Sequence, residues 1–222
     1  MTANQPGHGA YVWRYMKFER FADLVQTSEL HMTRLDALDD LDPHEGRWLP
    51  GTDDLRFTAG VHNAAALLAA LESERYRTYV SCWTLRLHER DHIWEQFGAE
   101  VAVAALYEDL VRAGPNVAIG GVSYVGTLRA FVDRFGTVNT YNLAFAKRPG
   151  FKREQEIRLV HRHEGDNPRP RAVRLPIDLR LLRPSIRAQP EVIADVEQLV
   201  TDAGLDGVDV YARGMHEVSG TD

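Results

Sequence analysis

The chain contains very little sulfur and no apolar run of membrane length. Cys82 is the single cysteine of 222 residues, which excludes a disulfide framework within the chain and suits a reducing compartment. The first ten residues lack a basic, apolar leader, and no apolar run approaches the length of a membrane span. We therefore expect a cytoplasmic protein that makes no membrane contact.

Three signatures of nucleotide and ester chemistry are also missing. The sequence has no Gly-x-x-x-x-Gly-Lys phosphate loop, no Gly-x-Gly-x-x-Gly fingerprint and no Gly-x-Ser-x-Gly elbow. Their absence argues against a P-loop nucleotide triphosphatase, a Rossmann dehydrogenase and an α/β-hydrolase. The net charge of −6 argues against a general nucleic-acid binder.

The charge is distributed unevenly along the chain. Residues 147–187 carry 12 basic against 5 acidic side chains, whereas residues 188–222 carry 1 against 8. Two solvated faces that partly neutralise each other account for this pattern. The alternative is that the basic stretch faces a phosphate-bearing ligand, a nucleic acid included.

Short strands and helices follow one another without strict βαβ alternation. This favours an α+β fold with a mixed, mostly antiparallel sheet and flanking helices. We predict one domain over residues 11–212, with flexible ends at 1–10 and 213–222. The predicted strands are 11–16, 30–33, 76–84, 101–106, 117–125, 156–161, 172–175, 181–186 and 208–211, with 156–161 and 172–175 forming a hairpin. The predicted helices are 17–26, 55–73, a short one that begins at Asp91, 138–147 and 191–203.

An acidic, proline-containing stretch follows the second predicted strand. Residues 35–51 read as a long ordered loop, and its carboxylates include Asp39, Asp40, Asp42 and Glu45, with Pro43 stiffening the backbone. Carboxylates clustered in one loop can hold a divalent cation, act as a general base or accept hydrogen bonds from sugar hydroxyls. A solvated acidic turn with Asp capping explains the same residues without any function.

A second polar group comes later, in the stretch Glu154-Gln155-Glu156-Ile157-Arg158. Alternate residues of a strand share one face, so we expect Glu154, Glu156 and Arg158 to point the same way. Two carboxylates beside a guanidinium can bind a ribose and orient a nucleophile. The alternative is the solvent face of an edge strand with an ion pair.

Two further patterns bear on catalysis. Ser81 lies on a buried-looking strand beside Cys82, and we expect Cys82 to be a small buried residue rather than a nucleophile. His88, Glu89 and His92 form a literal His-Glu-x-x-His, the pattern of zinc proteases. Asp is a preferred helix N-cap residue, so we expect a helix to begin at Asp91, between the two histidines. A zinc protease needs both histidines on one face of a continuous helix, so the pattern favours zinc hydrolysis less than the other hypotheses.

The order of several short motifs resembles the bacterial domain-of-unknown-function family numbered 2971. Tyr11 and Tyr15 form the opening Tyr-x-x-x-Tyr, and Asp42-Pro43-His44-Glu45 is similar to an Asn-Asp-Pro-Phe-Glu motif. Further carriers are Leu30, Ser81, Asp91, Trp94, the run Val122-Ser123-Tyr124, and a Lys…Trp-x-x-Glu-x-Glu-x-Arg motif matched by Lys147, Phe151, Glu154, Glu156 and Arg158. Four residues depart from the family's pattern: Leu41, His44, Phe97 and Phe151. The polar residues of the motifs match it: Asp42, Glu45, Glu154, Glu156 and Arg158.

A more distant likeness is to ADP-ribosyltransferases, which place an Arg or His on the first strand, a Ser or Tyr on a middle strand and a Glu on a late strand. Arg14, Ser81 and Glu156 occur here in that order. The likeness implies that Arg14 supports NAD, Ser81 places the nicotinamide ribose and Glu156 stabilises an oxocarbenium-like transition state. No cofactor is implied with certainty, and NAD enters as a possible substrate.

Three hypotheses follow for the function. The first is a nucleotide-directed, NAD-using transferase with Glu156, Glu154, Asp42 and Glu45 as catalytic residues. Its ligand-binding residues would be Arg14, Ser81, Lys147 and Arg158. The second is a metal-dependent nuclease or other hydrolase that uses the clustered carboxylates. The third is a non-catalytic ligand-binding module, in which the same groups organise the long loop.

Overall fold

The structure is a computed structural model that describes residues 5–39, 42, 44–47, 64–85, 91–137, 139–165 and 170–214. Its strands are β1 Tyr11–Met16, β2 Glu29–Arg34, β3 Thr78–Leu85, β4 Val101–Leu106, β5 Ala118–Gly121, β6 Ser123–Tyr124, β7 Ala146–Lys147, β8 Glu156–Arg162, β9 Ala172–Pro176, β10 Ser185–Ala188 and β11 Val210–Ala212. Its α-helices are α1 Phe18–Thr27, α2 Ala64–Arg75, α3 Asp91–Phe97, α4 Tyr107–Ala113, α5 Leu128–Phe135, α6 Thr140–Leu143, α7 Leu179–Leu182 and α8 Ile193–Asp202. Two 3-10 turns, Leu35–Leu38 and Pro149–Glu154, complete the list.

The chain divides into two compact units that interleave along the sequence. The first unit is built mainly from His31–Cys82 and Asn116–Leu175. The second is built from Gly7–Leu30, Trp83–Pro115 and the chain from Pro176 onwards. The expectation of one domain over residues 11–212 stays a prediction.

The second unit is organised around the apolar strand β4. All but the last of its six residues are buried, and it pairs antiparallel with β1 on one side and β10 on the other. β11 extends the sheet by a parallel pairing with β10. Helix α1 buries Phe21, Leu24 and Val25, whose i, i+3, i+4 spacing forms one apolar stripe. Each such side chain contributes about 1.5–3 kcal/mol when fully buried.

The first unit carries β8 between β5 and the beginning of β3. β8 is almost wholly buried, and β5 runs antiparallel to it with Gly120 opposite Arg158. One apolar cluster joins Val80 of β3, Val160 of β8 and Leu35 of the first 3-10 turn. A second joins Leu71 of α2, Phe131 of α5 and Leu143 of α6. The first of these clusters packs β8 against β3 and the 3-10 turn.

The fold class predicted from sequence is confirmed: helices flank a mixed, mostly antiparallel sheet. The hairpin predicted between strands 156–161 and 172–175 is wrong, because β9 lies beside β2 while β8 pairs with β3 and β5. The helix predicted over 138–147 is shorter, ending at Leu143 before the strand residues Ala146–Lys147. The predicted strand 181–186 is helix α7 followed by β10. Among the described helices, none is long and apolar enough to cross a bilayer.

A glycine closes the turn that carries the acidic loop against Leu35. Gly46 has φ +63, and a Cβ built there would lie 2.7 Å from Cγ of Leu35, which is fully buried. We expect Gly46→Ala to lower the free energy of unfolding by about 2–4 kcal/mol, because left-handed strain and overpacking add. Gly136, with φ +76 and open space around it, is the matched control: Gly136→Ala should cost about 1 kcal/mol. Urea denaturation measures both, and equal losses would contradict the packing argument.

Candidate functional site

The centre of the first unit's polar site is the guanidinium of Arg158 on β8, which has no solvent exposure. Its Nε and Nη2 donate to the two carboxylate oxygens of Glu156 at 2.8 and 2.9 Å. Its Nη1 donates to Glu45 Oε1 at 2.7 Å and to the carbonyl oxygen of Ala144 at 2.8 Å. This two-pronged geometry fixes Glu156 and draws the acidic loop onto β8.

Lys147 of β7 is a second cation within the same cluster. Its Nζ lies 2.7 Å from Glu154 Oε2, 3.3 Å from Glu156 Oε2 and 3.5 Å from Glu45 Oε2. Burial lowers the pKa of Lys147, but the surrounding carboxylates, Glu156 foremost, outweigh burial and raise the pKa overall. Lys147 is therefore a fixed positive charge at neutral pH.

The same cations determine the protonation of Glu156. Burial raises its pKa, but the charges of Arg158 and Lys147 and the hydrogen bond from Arg158 outweigh burial and lower the pKa to about 2. Glu156 is thus ionised at neutral pH. It can stabilise positive charge there, but it is a poor proton donor and a weak base.

Two carboxylates of the acidic loop are buried rather than solvated, since Asp42 and Glu45 are each 3% exposed. Asp42 Oδ1 accepts the backbone N–H of His44 at 3.0 Å and an N–H of Arg148 at 2.7 Å. The Glu45 N–H donates to the Asp42 carbonyl, which closes a tight turn. The solvated-turn interpretation of these two residues therefore does not hold. Asp40 and Pro43 lie outside the described residues.

A second ion cluster anchors this loop to helix α2. Arg75 is fully buried and donates from Nε to the carbonyl oxygen of Glu45 at 3.0 Å. Its other nitrogens bind Glu72 at 2.9 Å and Asp39. Arg47 also binds Glu72, with contacts of 3.0 and 2.7 Å. Arg75 holds the backbone of Glu45, and Arg158 holds its side chain.

Glu154 belongs to the cluster, but it does not lie on the strand where it was expected. Gln155 has φ +45, so the strand begins only at Glu156 and Glu154 ends the preceding 3-10 turn. The expectation that Glu154 shares a strand face with Glu156 is therefore wrong. Lys147 nevertheless joins the two carboxylates. Glu154 remains partly exposed, and its Oε1 has no partner among the described residues.

Tyr124 and Cys82 complete the surroundings of Glu156. The Tyr124 hydroxyl accepts the Glu156 N–H at 2.8 Å, and burial raises the pKa of Tyr124 to about 12, so the hydroxyl keeps its proton. Cys82 is exposed, which corrects the expectation of a buried residue. The dense protein around its sulfur and the carboxylate of Glu156 raise the pKa of the thiol, so it is no nucleophile at neutral pH.

Two expected ligand-binding residues lie elsewhere. Ser81 is buried on β3 directly before Cys82, and neighbouring side chains of a strand point to opposite faces. Because the Cys82 thiol lies close enough to Glu156 to influence its pKa, the alternation of the strand turns Ser81 to the opposite face. Arg14 belongs to the second unit, on β1, with its guanidinium 5.9 Å from the ring centre of Trp83.

The carboxylates of the site are nearly balanced by cations. Asp42, Glu45, Glu154 and Glu156 contribute −4 and Lys147, Arg148 and Arg158 contribute +3, a sum of −1. Among the described residues, no three His, Cys, Asp or Glu side chains are arranged to hold a metal ion. His88 and Glu89 lie outside the described residues, so the His-Glu-x-x-His hypothesis stays a prediction.

Three site residues were missed by reasoning from sequence: Arg75, Arg148 and Tyr124. Arg148 adjoins Lys147, and a pair of cations before the Glu-x-Glu motif is a signal that could have marked it. Tyr124 belongs to a run that the family resemblance had singled out, but no role was attached to it. Arg75 stands at the end of an alanine-rich helix, and nothing in its local pattern indicates a buried partner.

Comparisons with known proteins identify no relative: no protein-family model, no curated protein and no solved structure matches this chain. The geometry of the first unit's polar cluster is therefore the basis on which a function is argued.

The low pKa of Glu156 predicts an acid-dependent loss of stability. A lowered folded-state pKa stabilises the fold above the ordinary pKa of about 4.3, and this stabilisation is lost as pH falls towards 2. We expect the stability gap between the native protein and Glu156→Gln to shrink by roughly 2–3 kcal/mol from pH 6 to pH 2.5. Glu164→Gln, an exposed carboxylate of the same unit, is the control in urea denaturation. A gap that stays constant with pH would contradict the assignment.

The pairing of Arg158 with Glu156 predicts strong energetic coupling. Arg158→Met leaves two buried carboxylates without that cation and should cost about 3–5 kcal/mol. In the double variant with Glu156→Gln, one of those charges is also gone. The double loss should therefore be smaller than the sum of the single losses by about 1–3 kcal/mol. Additive losses in urea denaturation at pH 7 would contradict a direct pairing.

Proposed function

We propose that the first unit is a nucleotide-directed transferase that uses NAD, with Glu156 as the fixed anion at its centre. The observation that carries the proposal is the ionised, buried carboxylate of Glu156, oriented by Arg158 and placed beside the partly exposed Glu154. Such a group suits a reaction whose transition state gains positive charge on a sugar ring, and it does not suit proton transfer.

The atoms around Glu156 match the hydrogen-bonding capacity of a ribose. The Oε1 of Glu154 can accept a hydrogen bond, and the proton of the Tyr124 hydroxyl has no acceptor among the described residues. A ribose hydroxyl both donates and accepts, so it could use both groups. In the proposed reaction the bond between nicotinamide and ribose breaks with its electron pair leaving on nicotinamide. A nucleophile then bonds to the same ribose carbon and releases its proton to solvent water.

Exposed cations adjoin this group on the 3-10 turn that ends at Glu154. Arg148 is half-exposed, and Lys152 and Arg153 are exposed. A pyrophosphate, or the phosphates of a nucleic-acid acceptor, would find complementary charge on this turn. The resemblance to family 2971 supports the same residues, because Lys147, Glu154, Glu156 and Arg158 carry it.

A second candidate function, a non-catalytic ligand-binding module, is favoured by one specific observation. Both carboxylate oxygens of Glu156 are already bound by Arg158, and one is also bound by Lys147. These cations offset the charge that a sugar cation would meet. In the transferase proposal, a ligand must therefore draw Lys147 towards Glu154 and away from Glu156.

The metal-dependent nuclease or hydrolase is the least supported of the three hypotheses. Every carboxylate that it would use, Asp42 and Glu45 included, is bonded to Arg148, Lys147 or Arg158. A divalent cation would have to displace these side chains from a buried cluster. Arg14 and Ser81 stay predicted NAD contacts, carried by the likeness to ADP-ribosyltransferases rather than by contact with Glu156.

The test combines NAD binding with release of nicotinamide. We expect the native protein to bind NAD in calorimetry and to release nicotinamide on incubation, measured by chromatography. Glu156→Gln should reduce release at least 100-fold, because it removes the anion that faces the transition state. Glu154→Gln should weaken NAD binding about tenfold, because it removes one charged hydrogen-bond acceptor. Glu164→Gln is the charge-matched control and should change neither quantity.

The outcomes separate the two candidates. NAD binding without nicotinamide release, in the native protein and in Glu156→Gln alike, supports the binding module and rejects the transferase. No NAD binding and no release rejects an NAD site altogether. Circular dichroism of each variant establishes that a lost signal does not arise from unfolding.

A further inference from the structure

The second unit contains a cleft that the proposed function does not use. Its volume is about 480 Å³, within the range of small-molecule sites. It opens where α3 leads into β4 and where β10 leads into α8, with the end of β11 close by. Its walls include Lys17, Trp94, Glu95, Glu191, Val192 and Arg213. All of these residues belong to the second unit.

One acidic side chain of the cleft is already engaged by the protein. Glu100 accepts the backbone N–H of Phe18 at 2.8 Å, and its other oxygen lies 3.4 Å from Nζ of Lys17. The N–H of Phe18, followed by the contact with Lys17, lowers the pKa of Glu100. The Lys17 side chain is half-exposed, and its ammonium has further N–H groups with no partner among the described residues.

Two other carboxylates of the cleft are not engaged in this way. Glu95 on α3 and Glu191 before α8 are exposed, and neither has an ion-pair or hydrogen-bond partner among the described residues. Together with Lys17, Arg213 and Glu100, they give the walls two positive and three negative charges, a sum of −1. The cleft therefore presents both signs of charge.

The cleft also has apolar lining residues. Trp94 is 1% exposed and lines the cleft, with the Arg213 guanidinium 5.4 Å from its ring centre. Ala99 is buried and Val192 is half-buried beside it. The indole N–H of Trp94 has no acceptor among the described residues, which is unusual for a buried donor. A ligand oxygen that reached the indole N–H of Trp94 would accept the missing hydrogen bond.

We propose that this cleft binds a small zwitterion with an apolar body, such as an apolar α-amino acid. The ammonium group would lie against Glu95 and Glu191. The carboxylate would face Lys17 and Arg213 and supply the acceptor that Trp94 lacks. The aliphatic side chain would pack on Trp94 and Val192. This site is separate from the nucleotide proposal, because every residue that carries it belongs to the other unit.

Three related compounds test the need for both charges. L-leucine carries both, L-leucinamide carries only the ammonium, and N-acetyl-L-leucine carries only the carboxylate. We expect leucine to bind the full chain in calorimetry, and each singly charged analogue to bind at least tenfold more weakly. No leucine binding at about 10 mM, well beyond a millimolar Kd, would overturn the proposal. Equal affinity for all three compounds would overturn it too.

Variants locate the binding and assign the two charges. Glu95→Gln combined with Glu191→Gln should weaken leucine binding at least tenfold and leave N-acetyl-L-leucine unchanged. Lys17→Met should weaken leucine and leave leucinamide unchanged. Glu197→Gln, an exposed carboxylate on α8 outside the cleft walls, is the matched control. Glu95 and Glu191 have no ion-pair or hydrogen-bond partner among the described residues, so we expect the double variant to fold, and native-like affinity in it would reject the site.

Discussion

A buried guanidinium that cannot lose its proton is the constraint on which the first unit depends. Arg158 has no solvent exposure, so its charge must be balanced by neighbouring groups at any ordinary pH. Glu156, Glu45 and the carbonyl of Ala144 provide that balance from β8, from the acidic loop and from the end of α6. Three segments of distant sequence are therefore held in place by one side chain.

The chemistry available at the site follows from this balance. Because Arg158 and Lys147 keep Glu156 ionised, the carboxylate offers a fixed charge rather than an exchangeable proton. Arg75 supports the arrangement from the other side by holding the backbone of Glu45 against α2. An oriented, immobile charge of this kind is the element that electrostatic catalysis requires and that a binding module can also use. The two proposed functions differ in whether the bound ligand reacts, not in the scaffold.

Local sequence patterns predicted the parts of this site that depend on neighbours in the chain. The alternation of Glu156 and Arg158 with apolar residues predicted one shared polar face, and both side chains meet there. The position of Glu154 was wrong because the left-handed backbone at Gln155 is not visible in a residue type that seldom adopts it. The hairpin of β8 and β9 was wrong because closeness in sequence does not determine the order of strands in a sheet. Arg75 escaped notice because two of its three partners, Asp39 and Glu45, come from a distant segment.

The contact between Arg158 and Glu45 joins positions 113 residues apart. A substitution at either end removes one of the few counter-charges of a buried group, which lowers stability unless the other position changes with it. In any set of related sequences, these two columns should therefore vary together: an Arg facing an acid, or two uncharged residues of similar volume. Such paired substitutions would identify distant relatives of this protein even where the overall sequence identity is low.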